Sequence, residues 1–335
     1  MAEAELKLED SRLAYSSQWE SDPEMKRFRN ILAVYGDQVG ADDVFCHAVA
    51  LANANNARLT LIDALPERYT TAAEIAERRK RLTRLVPAVK AEGVGDVSVD
   101  VFVGQPFLQI IRQVIRAEHD LVIASADGGA ILRNVYFGST ATHLMRKCPC
   151  PVWIVKPHQS LSRSRILACI DPSPGPGSGE HADNELDRKI LDLATSLAVA
   201  NDAELHIVHA WDVEGKDRDT MASETPDATR KTILTKHERE HRERVGALLV
   251  NYSLARVRHQ VHFPRGVPQK AIVELVDEHD IDLVVMGTVS RTGISGLIIG
   301  NAAESILSVV QCGVFTVKPR GFQTPIVLTK EMETT

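Results

Sequence analysis

The feature that most constrains this chain is an internal repeat with a fixed offset of 162 positions, as from Gly138 to Gly300. The motif Gly104-x-Pro106 returns as Gly266-x-Pro268, and other identities keep the same spacing. Repetition at one unchanged offset indicates a duplicated domain, so we predict two copies of one fold. The further matched pairs are Asp120-Leu121-Val122 with Asp282-Leu283-Val284, Cys150 with Cys312, and Lys156-Pro157 with Lys318-Pro319.

Each copy alternates short apolar runs with segments of helical spacing. Such alternation is typical of a parallel sheet that has helices on both faces. We therefore predict an α/β fold with two tandem doubly wound, Rossmann-like domains, each built on a five-stranded parallel sheet. The predicted strands are Ile31–Tyr35, Arg58–Ala64, Val97–Val103, Leu121–Ala124 and Val152–Val155 in the first copy, and Ile166–Ile170, Glu204–Ala210 and Val257–Phe263 at the start of the second.

The chain of 335 residues is long enough for two such domains, each with its own core. The second copy is longer because of two insertions, Pro172–His181 and Asp212–Thr235, whose composition favours flexibility. Whether they are lids or tolerated surface insertions is left open. The predicted segments are an N-terminal extension (1–28), a first domain (29–157), a linker (158–165), a second domain (166–320) and a C-terminal tail (321–335).

The fifth strands of the two copies, Val152–Val155 and Val314–Val317, are short and apolar and end their sheets. An uncovered apolar edge invites aggregation. We therefore expect the two domains to pair within the chain through these strands.

A phosphate-binding loop is predicted after the fourth strand of each copy. In the second copy, Leu283–Met286 ends at Gly287, a loop rich in glycine and hydroxyl residues follows, and Gly300-Asn301 opens a helix. Glycines leave backbone N–H groups uncovered, Asn301 is a good helix N-cap, and a helix N-terminus favours anions. Ligands of parallel sheets bind beyond the carboxyl ends of the strands, where the strand order reverses.

These motifs resemble those of a known protein family. A tandem domain with an aspartate after its first strand and a Gly-x-x-Gly-x9-Gly-[Ser/Thr] loop after its fourth resembles the universal stress protein family. The run Gly287-Thr-Val-Ser-Arg-Thr-Gly-Ile-Ser and the tail Thr324-Pro325-Ile326 resemble its two-domain members, over about residues 29–326. The resemblance implies a stress protein that binds a small ligand, with ATP as the leading candidate, and that has little or no catalytic activity.

Each copy keeps part of the implied nucleotide site and loses another part. In the second copy Ser290 replaces a glycine and Asn301 a hydroxyl residue, whereas the first copy has Tyr35-Gly36 in place of the aspartate. A strand-to-helix turn that needs its glycines only for the backbone stays the alternative. The implied site residues are Asp171, Gly287, Ser290, Gly300 and Asn301 in the second copy, and Ser125, Gly128, Gly138 and Ser139 in the first.

We expect the second copy to be the ligand-binding one, with Asp171 as its orienting acid. One good hydrogen bond to a charged group is worth roughly 1.5–3 kcal/mol. The crowding by Ser290 is milder, because serine is small and its loop keeps Gly287, Gly293 and Gly296.

The sequence also holds a zinc-like motif, His237-Glu-x-x-His241. It lies in a run of charged residues on a helix whose inward stripe is assigned to Val245, Leu248 and Leu249, so we expect a solvated helix and no metal site. Replacing both histidines with alanine is then expected to change stability by no more than ~0.5 kcal/mol. His206 and His209 lie three apart on a strand and should point to opposite faces.

Composition narrows the remaining classes of function. The formal net charge of -6 gives no support for a nucleic-acid or anionic-membrane surface, and the sequence shows neither a signal peptide nor a membrane-spanning run. Five scattered cysteines favour a reducing compartment, so we expect a cytoplasmic protein. Two alternatives stay open, a weak ATP-hydrolysing or phosphate-transferring enzyme and a scaffold or apolar-ligand protein that binds no nucleotide. A homodimer is also left open.

Overall fold

The computed structural model describes most of the two predicted domains. The residues it describes are 28–126, 137–157, 164–172, 184–213, 215–222, 225–252, 254–288, 301–307 and 309–328. Among these residues, no helix combines the length and the apolar character needed to span a membrane.

The first half alternates strands and helices as predicted, and local signals explain several boundaries. Thr71 caps the second helix, since its Oγ1 accepts a hydrogen bond from the Glu74 N–H at 3.2 Å. The first helix begins at Ala41, and its N-cap residue Gly40 lies in the left-handed region (φ 84°), which glycine adopts readily. The elements are β1 (Asn30–Val34), α1 (Ala41–Asn55), β2 (Arg58–Leu65), α2 (Ala72–Ala91), β3 (Val97–Val103), α3 (Pro106–Ala117), β4 (Leu121–Ser125), α4 (Ser139–Lys147) and β5 (Val152–Val155).

The second half repeats this order with extra helix. The insertion Asp212–Thr235, expected to be flexible, contains one whole helix and the start of another. Arg165, placed in the linker by sequence, already belongs to a strand. The elements are β6 (Arg165–Cys169), α5 (Glu185–Ala200), β7 (Glu204–Val208), α6 (Gly215–Ala222), α7 (Asp227–Leu249), β8 (His259–His262), α8 (Pro268–Glu278), β9 (Leu283–Gly287), α9 (Asn301–Leu307) and β10 (Gly313–Val317).

All ten strands form one sheet, in the order β3-β2-β1-β4-β5-β10-β9-β6-β7-β8. Neighbours within each half are parallel, whereas β5 and β10 are antiparallel, with Trp153 opposite Phe315. The expected pairing of the fifth strands is therefore observed. Both aromatic rings are fully buried and stack with centroids 5.9 Å apart, so one core runs across the seam between the halves.

The helices cover both faces of this sheet. One apolar cluster packs α1, α2, α5 and α7 against one face, and a second packs α3, α4, α8 and α9 against the other. This is the predicted doubly wound architecture. The strand order reverses between β1 and β4 in the first half and between β6 and β9 in the second. Two equivalent positions for a ligand therefore lie at the carboxyl ends of these strands.

Candidate ligand site at the carboxyl ends of the strands

In the first half, a buried carboxylate occupies the carboxyl end of β2. Asp63 is buried, and its Oδ2 lies 3.3 Å from Nη1 of Arg78 on α2. Burial raises the pKa of Asp63, and the positive charge of Arg78 opposes that rise. The loop after β1 joins the same network, because Asp37 pairs with both Arg78 and Arg81. Burial raises the pKa of Asp37, but hydrogen bonds from Arg81 and Arg78 outweigh it and lower that pKa.

Tyr35-Gly36, which replaces the expected aspartate, is part of this network. The Tyr35 hydroxyl donates to Oδ1 of Asp42 at 2.8 Å, and the Arg81 guanidinium lies 4.9 Å from the centroid of its ring. Burial, together with Asp42, raises the pKa of Tyr35 to about 12. A Cβ added at Gly36 would lie 2.8 Å from Oδ1 of Asp63. An aspartate at position 36 would therefore crowd the side chains of Gln38 and Asp63 and place a second negative charge beside Asp63.

The end of β4 holds the same loop in place. Ser125, at the position of the first phosphate-loop glycine, is buried and donates its Oγ–H to the carbonyl of Val39 at 2.8 Å. Gly138 is the N-cap of α4, its N–H donates to the Ala126 carbonyl, and Ser139 is the exposed first residue of that helix. Gly128 lies outside the described residues. Ser125 thus fastens the loop after β1, whose residues 35–43 line, together with Arg81, a cavity of about 360 Å³.

In the second half, Asp171 follows β6 at the corresponding place. Its side chain is 63% exposed, and its backbone N–H donates to Oδ1 of the buried Asp187 on α5 at 2.8 Å. This bond fixes the backbone from which the Asp171 carboxylate projects. Oδ1 of Asp171 also lies 3.8 Å from Nδ1 of His209, which follows β7. An exposed acceptor on a fixed backbone suits a ligand that offers hydroxyl or amino groups.

Beside Asp171 lies a histidine–tryptophan set formed by His209, Trp211 and His241. Nε2 of His209 is 2.7 Å from Nδ1 of His241, and the Trp211 ring centroid is 5.5 Å from that of His241. Nδ1 of His209 lies 3.3 Å from the carbonyl of Ile170, which can only accept. If both rings are neutral, donation from Nδ1 of His209 to this carbonyl leaves its Nε2 to accept from Nδ1 of His241.

The solvated position expected for His241 is wrong. His241 is 6% exposed, and burial, reinforced by the charge of Arg244, lowers its pKa to about 4. Its spacing to Val245 and Leu248 is i, i+4 and i+7, which places it on the inward stripe of α7. That spacing is the signal that could have found it. His237 also is only 13% exposed and lies 2.9 Å from Asp217 on α6.

His206 and His209 do lie on opposite faces, as their spacing predicts. His209 contacts α7 on one face, whereas His206 contacts His279 at the end of α8 on the other. Sequence analysis weighed them only as a pair with each other and missed that each has other histidine partners.

Gly287 ends β9, level with Val317 of β10, and marks the start of the predicted phosphate loop. Ser290 and Gly300 lie outside the described residues, and α9 begins at Asn301 itself, so Asn301 is its first helical residue and not its cap. The next residue of the loop, Thr288, is fully buried and its Oγ1 accepts from Nζ of Lys318. Burial lowers the pKa of Lys318 to about 8.

Lys318 ties this loop to the other half of the molecule. Its Nζ also donates to the carbonyl of Met145 in the last turn of α4. A cation at a helix C-terminus is favourable, because the unpaired carbonyls there carry partial negative charge. The base of the second-half loop is therefore anchored across the seam.

The fold and this site define a class: a tandem doubly wound α/β protein with clustered polar side chains at each reversal of strand order. The profile of the universal stress protein family matches residues 27–156 and again 163–318. The chain belongs to the universal stress protein family.

Curated relatives align with about two thirds of the chain. The chain is 32% identical over 232 residues to universal stress protein E of Escherichia coli strain K12, covering 69% of this chain and 71% of that protein. It is 29% identical over 233 residues to universal stress protein E of Photorhabdus laumondii, with the same coverage of each chain.

Solved structures show the same fold. A functionally unknown protein from Pseudomonas aeruginosa PAO1 superposes with a TM-score of 0.69 at 24% identity, covering 89% of this chain and 95% of that chain. A universal stress protein from Archaeoglobus fulgidus DSM 4304 gives 0.56 at 19% identity, covering 86% and 98%.

Proposed function

We propose that this chain is a ligand-binding stress protein whose second half binds an adenine nucleotide without catalysing its breakdown. The observation that carries this proposal is the exposed carboxylate of Asp171 at the reversal of strand order. The same place in the first half holds Gly36, backed by Asp63, Arg78 and Arg81. The polar groups at one of the two equivalent positions pair within the chain, and the other position presents an exposed hydrogen-bond acceptor.

The chemistry of the second half suits the sugar and base of a nucleotide. Asp171 accepts hydrogen bonds from ribose hydroxyls, as its position after β6 implies for this family. His209, held by Ile170 and His241, limits where the carboxylate can turn. The phosphates, by the same resemblance, lie against the loop that follows Gly287. We also place the protein in the cytoplasm, a proposal supported by five cysteines that are all free thiols.

The test is a titration of fluorescently labelled ATP against the full-length chain and three variants. We expect Asp171→Ala to weaken binding by roughly 10- to 150-fold, since a hydrogen bond to a charged group is worth about 1.5–3 kcal/mol. Asp219→Ala, which removes an exposed carboxylate from α6 of the same half, is the matched control and should leave the Kd unchanged.

Gly138→Val probes the first half in the same titration. Loss of binding with Gly138→Val and none with Asp171→Ala would move the site to the first half. No binding by the wild-type chain would favour a scaffold that takes no nucleotide, and release of inorganic phosphate from ATP would favour the enzymatic alternative.

A further inference from the structure

Three histidines converge on the face of the second-half sheet that packs against α8. His206 lies in the middle of β7, His262 ends β8, and His279 is the C-cap residue of α8. The centroids of the three rings are 5.2, 4.9 and 4.8 Å apart, taken pairwise. Three separate elements therefore bring three imidazoles together in a nearly equilateral triangle, which we call the histidine triad.

The ring nitrogens of the histidine triad are close to the spacing that a bound metal requires. Nδ1 of His206 and Nε2 of His262 are 3.0 Å apart, and one nitrogen from each of the three rings lies within 4.8 Å of the others. Zinc with imidazole ligands at about 2.0–2.1 Å in tetrahedral geometry needs nitrogens about 3.3 Å apart. His262 and His279 are only half-buried, so side-chain rotation can close the remaining gap.

The innermost member has a buried nitrogen without a hydrogen-bond partner. His206 is 1% exposed, and its Nε2 makes no hydrogen bond within the described residues. A buried polar atom without a hydrogen bond costs free energy unless another group, such as a ligand, interacts with it. Oε1 of Glu204, on the same strand, lies 3.7 Å from this Nε2. A metal-bound histidine commonly offers its second ring nitrogen to such a carboxylate, which fixes the ring and raises its basicity.

The third member is held by an independent contact. Arg165, at the start of β6, donates from Nη1 to the carbonyl of His279 at 3.0 Å and to Asp280 at 3.2 Å. The backbone that carries the His279 ring is therefore anchored to the sheet. Its guanidinium charge opposes a cation at His206, and Asp280 offsets part of that charge.

We propose that His206, His262 and His279 bind one divalent first-row transition metal, zinc foremost, with a fourth position left for water or an exogenous ligand. Three imidazoles suit zinc, copper, iron or nickel, whereas magnesium and calcium require oxygen ligands. The site is distinct from the ligand position at Asp171, because His209 and Asp171 belong to the opposite face. Within the described part of the chain, it is the one group of three such ligands that meets this spacing.

A metal here would fasten the outermost strand of the sheet. β8 has a single neighbouring strand, β7, and the triad links both strands to the end of α8. The first half has no counterpart: strand register and the repeat offset place Thr60, Asp100 and Ala117 at the three positions. The sequence-based expectation of no metal weighed only the motif on α7, and the triad is assembled from residues far apart in the chain.

The test is zinc binding by the full-length chain after treatment with a chelator. We expect one zinc ion per chain by calorimetry and by elemental analysis after dialysis, and a rise of a few degrees in Tm on adding zinc. Cobalt(II) should give the visible absorption of a tetrahedral nitrogen site. Because His262 and His279 are half-buried, His262→Gln and His279→Gln keep the fold, which circular dichroism verifies, and each should abolish stoichiometric binding.

Two further variants separate the triad from other sites. Glu204→Gln should weaken zinc binding by about 10- to 100-fold while preserving one site per chain, as for other partners of metal-bound histidines. His259→Gln, on the same strand but exposed, is the matched control and should bind as the wild type does. Zinc binding that persists in both triad variants, or a wild-type chain that takes up neither zinc, cobalt nor nickel, overturns the proposal.

Discussion

The carboxyl ends of the strands hold an ion-pair network in the first half and a histidine–tryptophan set in the second. The two regions occupy equivalent places in the repeat. Arg58 opens β2 and Glu204 opens the equivalent strand β7. Asp63 lies as far after Arg58 as His209 lies after Glu204. Asp63 pairs with Arg78 on the covering helix α2, and His209 with His241 on the covering helix α7. Equivalent backbone positions thus carry an ion pair in the first half and a histidine pair in the second.

This difference teaches how a duplicated fold can divide its work. In the first half, the guanidinium groups of Arg78 and Arg81 satisfy the buried carboxylates and tie down the loop after β1. In the second half, the rings of His209 and His241 contact each other, and the Asp171 side chain projects from the sheet. A half whose polar groups are used internally serves stability, and a half with an exposed acceptor can serve binding.

The seam between the halves, where β5 pairs with β10, is where we expect a substitution to have the largest effect on stability. Phe315→Ala should lower the free energy of unfolding by about 3–5 kcal/mol, because it empties a fully buried ring site that stacks on Trp153. Chemical denaturation should show both halves affected together. Val250→Ala, at a position 82% exposed, is the control and should change little. Selective loss of one half would show that the seam does not couple them.

The first-half network predicts the next largest effect. Arg78→Met leaves Asp63 buried beside Asp37 with less positive charge, so we expect a loss of about 2 kcal/mol, less than for a fully buried pair because Arg78 is 19% exposed. The adjacent Arg79→Met breaks the exposed pair with Asp100 and should cost under about 1 kcal/mol. Equal costs for the two variants, measured by urea denaturation, would remove the distinction between the network and a surface pair.

An exchange of residues between the two regions sharpens the comparison. Gly36→Asp should destabilise the chain by about 1–3 kcal/mol, because the new side chain must displace Gln38 and approach the carboxylate of Asp63. The reverse change, Asp171→Gly, alters an exposed position and should cost at most about 1 kcal/mol. Thermal unfolding of both variants makes the measurement. A well-tolerated Gly36→Asp would show that the first-half position is roomier than its contacts imply.

Acid should lower the stability of the second half through protonation of His241. Its pKa is about 4 in the folded chain and about 6.5 when unfolded, so the unfolded chain binds more protons between those values. Stability is therefore fully present above pH 6.5 and falls as the pH drops toward 4. The charged or titratable neighbours are Arg244, His209, His237 and Asp171.

His241→Phe should flatten this part of the stability profile. Asp63, whose pKa burial raises, contributes with the opposite sign, since the folded chain then holds the extra proton above pH 3.8. Urea denaturation at a series of pH values measures both. An unchanged slope in His241→Phe would contradict the buried neutral ring.

The sequence predicts the fold well because the fold depends on local signals and on the repeat. Strand and helix alternation follows from short-range patterns, and the pairing of the fifth strands follows from the need to cover two apolar edges. The family resemblance is confirmed by both halves of the chain. The division into domains and the nucleotide site stay predictions, the latter because much of both phosphate loops lies outside the described residues.

The remaining features depend on tertiary contacts that the sequence does not display. Asp63 and Arg78 meet because α2 covers the end of β2, and the charges alone would have fitted a solvated surface. His241 is hidden within a charged run, although its spacing to Val245 places it inward. The histidine triad gathers residues from two strands and a helix end, so no linear motif announces it.

The number of nucleotides bound per chain distinguishes a protein in which only the second half binds from one in which both halves do. Equilibrium dialysis of radiolabelled ATP at saturating concentration should give one nucleotide per wild-type chain, and at the same concentration much less than one per Asp171→Ala chain. Two nucleotides per wild-type chain, or a full complement in Asp171→Ala with an unchanged Kd, would contradict the division of work between the two halves.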